Sequence, residues 1–156
     1  MNIRRGMITD TEMVCRMHKA SIRNLCRSHY TSDQIEAWAD PKRPEQYERL
    51  IRDLIVFVVE EGADVVAFGA LDGTAADIRA LYVAPEFVGR GIGSMVLEAL
   101  ESEARRLTIP KLSVSATLNS VGFYSARGYS SLGAAENVLP QGTTLPCVRM
   151  EKTLAV

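Results

Sequence analysis

Three glycines at alternate positions are the residues of this sequence whose spacing most directly suggests a chemical role. They are Gly89, Gly91 and Gly93, and they lie where an apolar strand pattern gives way to a long helical one. A loop without Cβ atoms lets the backbone approach a ligand closely, and the free N–H groups of the following helix favour an anion. Arg90 and the Ser94 hydroxyl would add a charge and a donor. The loop predicts a phosphate site, and its alternative is a flexible turn before an amphipathic helix.

Two familiar nucleotide loops do not fit this stretch. A Walker A loop needs Gly-Lys-Ser/Thr, and the sequence has no such triplet. A dinucleotide fingerprint needs glycine at its sixth position, where Ser94 stands when the count begins at Gly89. Neither nucleotide loop fits, so a phosphate bound here would belong to another class of ligand.

The elements that position the loop follow a mixed α/β pattern. Alternating or β-branched runs predict strands at residues 3–8, 55–60, 65–71, 78–83, 111–117, 129–135 and 145–153. Helical spacing predicts helices at about 10–27, 32–40, 44–54, 91–109 and 120–127. The patterns Thr9-x-x-Glu12 and Thr31-x-x-Gln34 are capping boxes that predict where the first two helices begin. No repeat or linker interrupts the pattern, so we expect one domain over residues 1–156.

Composition excludes several classes of protein. The 156 residues carry 18 Lys and Arg against 19 Asp and Glu, which gives no bulk charge for binding nucleic acid or an anionic membrane. No apolar run approaches the ~20 residues that cross a bilayer, and no apolar stretch with a small-residue cleavage site follows Met1, so we expect neither a transmembrane helix nor a secretory signal. The three cysteines are Cys15, Cys26 and Cys147, without a CxxC, so we expect reduced thiols, no metal site and a cytoplasmic protein.

The glycine loop and a second element resemble the GNAT superfamily of acetyl-CoA-dependent N-acetyltransferases. The family loop Gln/Arg-x-x-Gly-x-Gly/Ala matches residues 88–93 in its glycines, although Val88 replaces the usual Gln or Arg. The second element is Asn119 followed by Phe123-Tyr124-x-x-x-Gly128-Tyr129. With the order of strands and helices, the resemblance covers residues 3–153.

The resemblance implies a fold and a cofactor site. The fold is mixed α/β, a twisted and mostly antiparallel sheet of about seven strands with helices on both faces, and acetyl-CoA lies where strands 4 and 5 splay apart. The backbone N–H of Leu81 or its neighbour would stabilise the thioester oxyanion, and Val83 would bond the pantetheine amide. The implied cofactor residues are Leu81, Tyr82, Val83, Val88, Gly89, Arg90, Gly91, Ile92, Gly93, Ser94, Asn119 and Tyr124.

Two catalytic side chains follow from the same resemblance. Tyr124 would act as the general acid that protonates the departing thiolate, while Phe123 faces the core. Asp77, four residues before Leu81, resembles the position of a glutamate base in the histone-modifying branch. A solvated surface aspartate, with a water chain as the base, is the alternative. Asn119 would either bond the cofactor or cap its turn.

Acceptor specificity in this family comes largely from the segment that joins the first two helices. Its candidate residues here are Arg23, Arg27, His29, Tyr30 and Trp38. Aromatic walls with a cation would suit a small amine that carries a carboxylate or a ring, whereas the alternatives are core packing and a solvated helix face.

The resulting prediction is direct attack of a small molecule's primary amine on the acetyl-CoA thioester, without a covalent enzyme intermediate, because the cysteines lie outside both motifs. The alternatives are a non-catalytic acyl-CoA-binding or regulatory domain and an acetyltransferase acting on a protein or peptide amine. A homodimer through the last strands is compatible with the sequence.

Overall fold

The computed structural model describes residues 1–155, and within that range the chain forms seven strands and five helices. The strands are β1 (Asn2–Arg5), β2 (Ile55–Glu61), β3 (Asp64–Asp72), β4 (Asp77–Val83), β5 (Lys111–Thr117), β6 (Ser130–Val138) and β7 (Thr144–Thr153). The helices are α1 (Thr11–Leu25), α2 (Ser32–Ala39), α3 (Pro44–Asp53), α4 (Ile92–Arg106) and α5 (Val121–Ser125). This alternation confirms the predicted fold class.

All seven strands belong to one sheet, in the order β1-β2-β3-β4-β5-β7-β6. Every neighbouring pair is antiparallel except β4 and β5, which run parallel. A parallel pair needs a crossover connection, and α4 supplies it between these two strands. The mostly antiparallel sheet with one parallel step is the predicted topology.

The sheet opens between β4 and β5. These strands pair only through Asp77 with Ser113 and Ile78 with Val114, whereas β4 stays paired with β3 as far as Val83. On the other side, β5 remains paired with β7 up to Thr117. Because each strand follows its own outer neighbour, the backbone of β4 beyond Ile78 faces a gap instead of a partner strand. The predicted splay of strands 4 and 5 is therefore confirmed.

Helices cover both faces of the sheet. Along β3, the ring of Phe68 lies edge-on to His18 of α1, while the next residue, Gly69, faces α4. Successive strand residues point to opposite faces, so α1 and α4 lie on opposite sides. A Cβ built on Gly69 would lie only 2.5 Å from Val96 Cγ1, so α4 packs this close because residue 69 is a glycine.

The start of the chain differs from its prediction. The first strand ends at Arg5 instead of residue 8, and residues Ile8–Asp10 form a short 3-10 turn before α1. The capping box predicted at Thr9 is wrong, because the carboxylate of Asp10 takes the free N–H of Met7 at 2.7 Å and pairs with Arg4. The second predicted box is confirmed by reciprocal bonds of 2.9 and 3.1 Å between Thr31 and Gln34.

Among residues 1–155, no helix combines the length and apolarity that a membrane crossing requires. The three cysteines are unpaired and buried.

Candidate active site

A cavity of about 440 Å³ lies where β4 and β5 diverge. Its walls come from β4, the glycine loop, the first turn of α4, α5 with the turn before it, and the end of α1. Every residue predicted to bind the cofactor lines it except Arg90, whose guanidinium lies outside, 4.8 Å from the centre of the Phe87 ring. The structure therefore brings together residues that are more than forty positions apart in the chain.

Glycine is required at the three loop positions for two different structural reasons. Gly89 and Gly91 have φ angles of +78° and +77°, in the left-handed region that other residues adopt at a cost. A Cβ at either position would meet no atom within 4 Å, so backbone conformation is what requires glycine there. Gly93 is helical, and its Cβ would lie 3.1 Å from Phe123 Cε1. Two glycines set the turn, and the third lets α5 approach α4.

The first turn of α4 fits an anion. Its N-cap is Gly91, which has no side chain to bond the free N–H groups, and the turn contains no acidic residue. Each of α1, α2 and α3 has an acidic residue in its first turn. The N–H groups of the first turn have no partner within the helix, and Ile92, Gly93 and Ser94 line the cavity. Phosphate oxygens would satisfy these donors.

Arg127 is a cavity residue that the sequence reasoning missed. Its Nε donates to Ser94 Oγ at 2.7 Å, its Nη1 donates to the Phe123 carbonyl at 2.9 Å, and its guanidinium lies 3.9 Å from the centre of the Phe123 ring. The sequence feature that indicates this role is its position four residues after Phe123, because residues four apart lie one helical turn from each other on the same face. Arg127 thus brings a positive charge to the first turn of α4.

Tyr124 lines the cavity beside the gap between β4 and β5. Its side chain is 4% exposed, and it also lines a smaller space of about 30 Å³ between β4 and β5. Burial raises the pKa of its phenol, and the nearby charge of Asp77 adds to the rise. Tyr124 therefore keeps its proton at neutral pH. The prediction for Phe123 holds only in part, since its ring packs against the core and also lines the cavity.

Asp77 lies at the far end of β4 from the glycine loop. Its Oδ1 accepts hydrogen bonds from Ser113 at 2.7 Å and Arg149 at 3.2 Å, and its Oδ2 pairs with Arg79 at 3.2 Å. Both carboxylate oxygens are thus engaged where β4 and β5 still pair, and Asp77 does not line the main cavity. Its role as a base stays a prediction.

The opposite end of the cavity is built by α1. Ser21, Leu25 and Cys26 line it together with Tyr82, whose ring stacks on Phe68 on the α1 face of the sheet. Because α4 covers the other face, the cavity extends from one face of the sheet to the other through the gap. We call the part lined by Ser21, Leu25, Cys26 and Tyr82 the α1 end, and the part lined by the glycine loop and Arg127 the α4 end.

Behind Tyr82 lies a buried histidine. The ring of His18 is 4.0 Å from that of Tyr82, and its Nδ1 is 2.7 Å from the hydroxyl of Tyr47. Burial lowers the pKa of His18 well below its ordinary value, so the imidazole is neutral. His18 therefore supports the α1 end as a packing residue.

Cys26 is the one cysteine that lines the cavity. It is 1% exposed, and burial raises the pKa of its thiol to about 12. A thiol of that pKa carries almost no thiolate at neutral pH and is a poor nucleophile. Its presence in the wall is accordingly compatible with transfer that needs no acetylated cysteine.

The residues predicted to bind the acceptor lie outside the cavity lining. Arg27 and His29 are exposed in the turn after α1, and Arg23 pairs with Glu36. Tyr30 and Trp38 are buried against each other, their ring centroids 5.5 Å apart. The acceptor role of these residues stays a prediction.

The hydroxyl of Tyr30 has a structural use. It donates to the Pro146 carbonyl at 2.6 Å and accepts from the Leu118 N–H at 3.0 Å. Tyr30 thus ties the turn after β5 to β7.

In the part of the chain that the structure describes, no group of three or more His, Cys, Asp or Glu residues could hold a metal ion.

Both the family model and the curated relative that match this chain are described as acetyltransferases. The family model described as an acetyltransferase (GNAT) domain matches residues 26–154. A curated relative, the uncharacterized N-acetyltransferase YafP of Escherichia coli, is 24% identical over 132 residues, covering 85% of this chain and 83% of its own length.

Solved structures that resemble the whole chain include two N-acetyltransferases. A GCN5-related N-acetyltransferase from Rhodopseudomonas palustris has a TM-score of 0.92 at 27% identity, covering 98% of this chain and 95% of its own. The PaiA N-acetyltransferase of Thermoplasma acidophilum, in complex with coenzyme A, has a TM-score of 0.80 at 22% identity, covering 97% of this chain and 98% of its own.

Proposed function

The chain belongs to the GNAT acetyltransferase family, and we propose that it transfers the acetyl group of acetyl-CoA to the primary amine of a small molecule by direct attack, with Tyr124 as the general acid. The observation that carries the proposal is the continuous cavity that joins the N-terminus of α4 to Tyr124 and then to α1. Such a passage lets a donor enter from one face and an acceptor from the other.

The α4 end would hold the phosphates of the cofactor. The unpartnered N–H groups of Ile92, Gly93 and Ser94 and the guanidinium of Arg127 supply donors and positive charge there. The coenzyme A complex of the Thermoplasma relative supports this assignment. When bound, acetyl-CoA would supply the activated acetyl group as a thioester.

The free edge of β4 would align the pantetheine arm. Beyond Ile78, β4 has lost its partner β5, so the backbone groups of Leu81 and Val83, which alternate with those that bond β3, are open to the cavity. Extended ligands commonly bind such an edge as an added strand. A backbone N–H at Leu81 or its neighbour would stabilise negative charge on the thioester oxygen.

Tyr124 would protonate the departing thiolate. Tyr124 lines the cavity, and burial keeps the pKa of its phenol above the ordinary range. A phenol that keeps its proton can donate it to the departing thiolate, and a partly desolvated site disfavours the charged thiolate as it disfavours the phenolate. Asp77 remains the predicted base for the incoming amine, and water in the small space beside Tyr124 is the alternative route for that proton.

The proposal is tested first by binding. Acetyl-CoA at a hundredfold excess over its Kd should stabilise the protein by about 2.7 kcal/mol, which for a chain of this length is a rise in Tm of roughly 5–10 °C. An unchanged Tm at saturating acetyl-CoA would contradict the cofactor assignment.

The second test is turnover. With an amine panel, the wild type should release free CoA thiol, and Tyr124→Phe should lower kcat by roughly a hundredfold or more. Tyr47→Phe is the matched control, because that phenol is also buried but bonds His18 outside the cavity. Wild-type turnover in Tyr124→Phe would remove the general-acid role.

A further inference from the structure

We infer that the acceptor site is the α1 end of the cavity and that it takes a monoamine with an apolar or aromatic body, in preference to a diamine or an amino acid. This inference rests on the proposed function and names the substrate class of the same site. It departs from the expectation of an acceptor recognised by a cation in the segment after α1.

The first argument is position. The α4 end has the glycine turn, the helix N-terminus and Arg127, which together suit an anionic cofactor. Ser21, Leu25 and Cys26 lie on the opposite face of the sheet and reach the same cavity through the gap beside Tyr124. An amine that binds against them would approach the thioester from the side away from the phosphates.

The second argument is charge. Across the residues that line the cavity within 1–155, the only charged side chain is Arg127. Its guanidinium is held at the α4 end by Ser94 and by the carbonyl and ring of Phe123. The α1 end contributes the Ser21 hydroxyl, a leucine side chain, a protonated thiol and the protonated phenol of Tyr82, and therefore no group of either charge.

Three charged groups of α1 and β4 that lie outside the lining are already paired. Arg23 makes two hydrogen bonds with Glu36, at 2.9 and 3.0 Å. Asp77 is held by Ser113, Arg149 and Arg79. Lys19 donates to the carbonyls of Asp40 and Lys42. Recruiting any of them would break contacts that the fold already uses.

An uncharged wall discriminates against acceptors that carry a further charged group, because that group loses its hydration when it binds. A second ammonium or a carboxylate on the acceptor would leave water without a partner of opposite charge, and that loss is costly. The amine that must react is itself helped by this wall, because burial disfavours its charged ammonium form and so favours the neutral form that attacks the thioester. An apolar or aromatic body would pack on Leu25 and Tyr82 with no such cost.

Matched amine pairs test the inference. Hexylamine and hexamethylenediamine differ by one ammonium, and phenethylamine and L-phenylalanine differ by one carboxylate. We expect kcat/KM for the monoamine of each pair to exceed that of its partner by at least roughly tenfold, measured as CoA thiol released at a fixed pH. Equal values, or a preference for the charged partner, would overturn the inference.

A charge inserted at the α1 end gives a second test. Leu25 is half-buried at the last position of α1, so Leu25→Glu should be tolerated and should raise the diamine-to-monoamine ratio of kcat/KM by roughly tenfold. Asn24→Glu adds the same charge one residue away, at an exposed position outside the lining, and should leave the ratio unchanged. The same ratio in both variants would contradict the location of the site.

The outcomes separate this inference from the function beneath it. If acetyl-CoA raises the Tm and some amine is acetylated, but charged acceptors or a peptide N-terminus are preferred, the substrate class is wrong and the acetyltransferase function stands. If acetyl-CoA fails to raise the Tm, the proposed function falls and this inference falls with it.

Discussion

The two ends of the cavity are formed by different parts of the chain, mainly backbone groups at the α4 end and side chains at the α1 end. At the α4 end, backbone N–H groups, a left-handed turn and an uncapped helix terminus make the site, with Arg127 as the added side chain. At the α1 end, the site is a surface of side chains, Leu25, Cys26 and Tyr82, that happen to face one gap in the sheet. The first end should depend on backbone conformation, and the second on side-chain size and charge.

This difference explains which end could be found from the sequence. A positive φ at Gly89 and Gly91 is a local requirement that only glycine meets without strain, so the residue type itself marks the site. Nothing local marks Leu25 or Cys26, because their place in the cavity depends on how α1 packs across β4. A site formed by backbone groups can be recognised from a short sequence motif, whereas a site formed by packed side chains depends on the whole fold.

The largest expected effect is at the α4 end. Gly91→Ala forces a side chain into the left-handed region at about 1–2 kcal/mol, and relief of that strain would turn the loop away from the phosphates. We expect the Kd for acetyl-CoA to rise by at least roughly tenfold, measured by calorimetry. Gly62→Ala is the control, because Gly62 also has a positive φ, +61°, with open space around it, in the β2–β3 turn. Equal affinities in the two variants would break the comparison.

Asp77 tests the closed end of the gap, outside the cavity that the two ends share. Asp77→Asn should destabilise the protein by roughly 1–3 kcal/mol, because the change removes a charged acceptor from Arg149 and Arg79. If its role is to hold the closed end of the gap, the pH profile of kcat keeps its shape. A kcat that falls by orders of magnitude and loses its acid limb would instead make Asp77 the base.

His18 tests how the α1 end is supported. Burial holds the pKa of His18 below its ordinary value, so below about pH 6.5 the unfolded chain binds a proton that the folded chain does not. The contribution of His18 to stability is therefore present above that pH and lost as the pH falls. The limiting slope is about 1.4 kcal/mol per pH unit.

Urea unfolding between pH 7 and 5 measures this slope. The slope should shrink in His18→Gln and stay unchanged in His29→Gln, because His29 is exposed. A wild-type slope in His18→Gln would show that the imidazole does not couple to folding.

The smallest effect is expected at Tyr30. Tyr30→Phe removes the hydroxyl that bonds Pro146 and Leu118, which should cost about 1 kcal/mol of stability. Because Tyr30 lies outside the cavity lining, kcat/KM for a small amine should change less than roughly twofold. A selective rise in KM would restore Tyr30 as an acceptor residue.

Most of the fold was predictable from the sequence, and the exceptions have physical causes. Strict alternation predicted Lys111–Thr117 to the residue, since only one face of that strand is buried. The first helix begins at Thr11, one residue later than predicted, because Asp10, held by Arg4 from β1, accepts the Met7 N–H in a short turn before the helix. Such a contact between elements leaves no mark in a local pattern.

The candidate site divides in the same way. The prediction that residues 81–83 and the glycine loop share one site is matched by the cavity lining, because the crossover from β4 into α4 keeps these residues adjacent. Arg127 was missed because its value depends on Ser94, thirty-three residues earlier in the chain. The sequence predicts Tyr30 and Trp38 as acceptor residues, although their rings are buried against each other, because an aromatic residue in a core and one in a binding wall look alike in sequence.

The central claim is direct transfer across the cavity, and a single-turnover experiment with stoichiometric acetyl-CoA and phenethylamine tests it most directly. Product, free thiol and the intact mass of the protein would be followed together. The account predicts one acetylated amine for each thiol released, with the protein unmodified throughout. An acetyl group on Cys26 before product forms, or thiol release without acetylated amine, would contradict it.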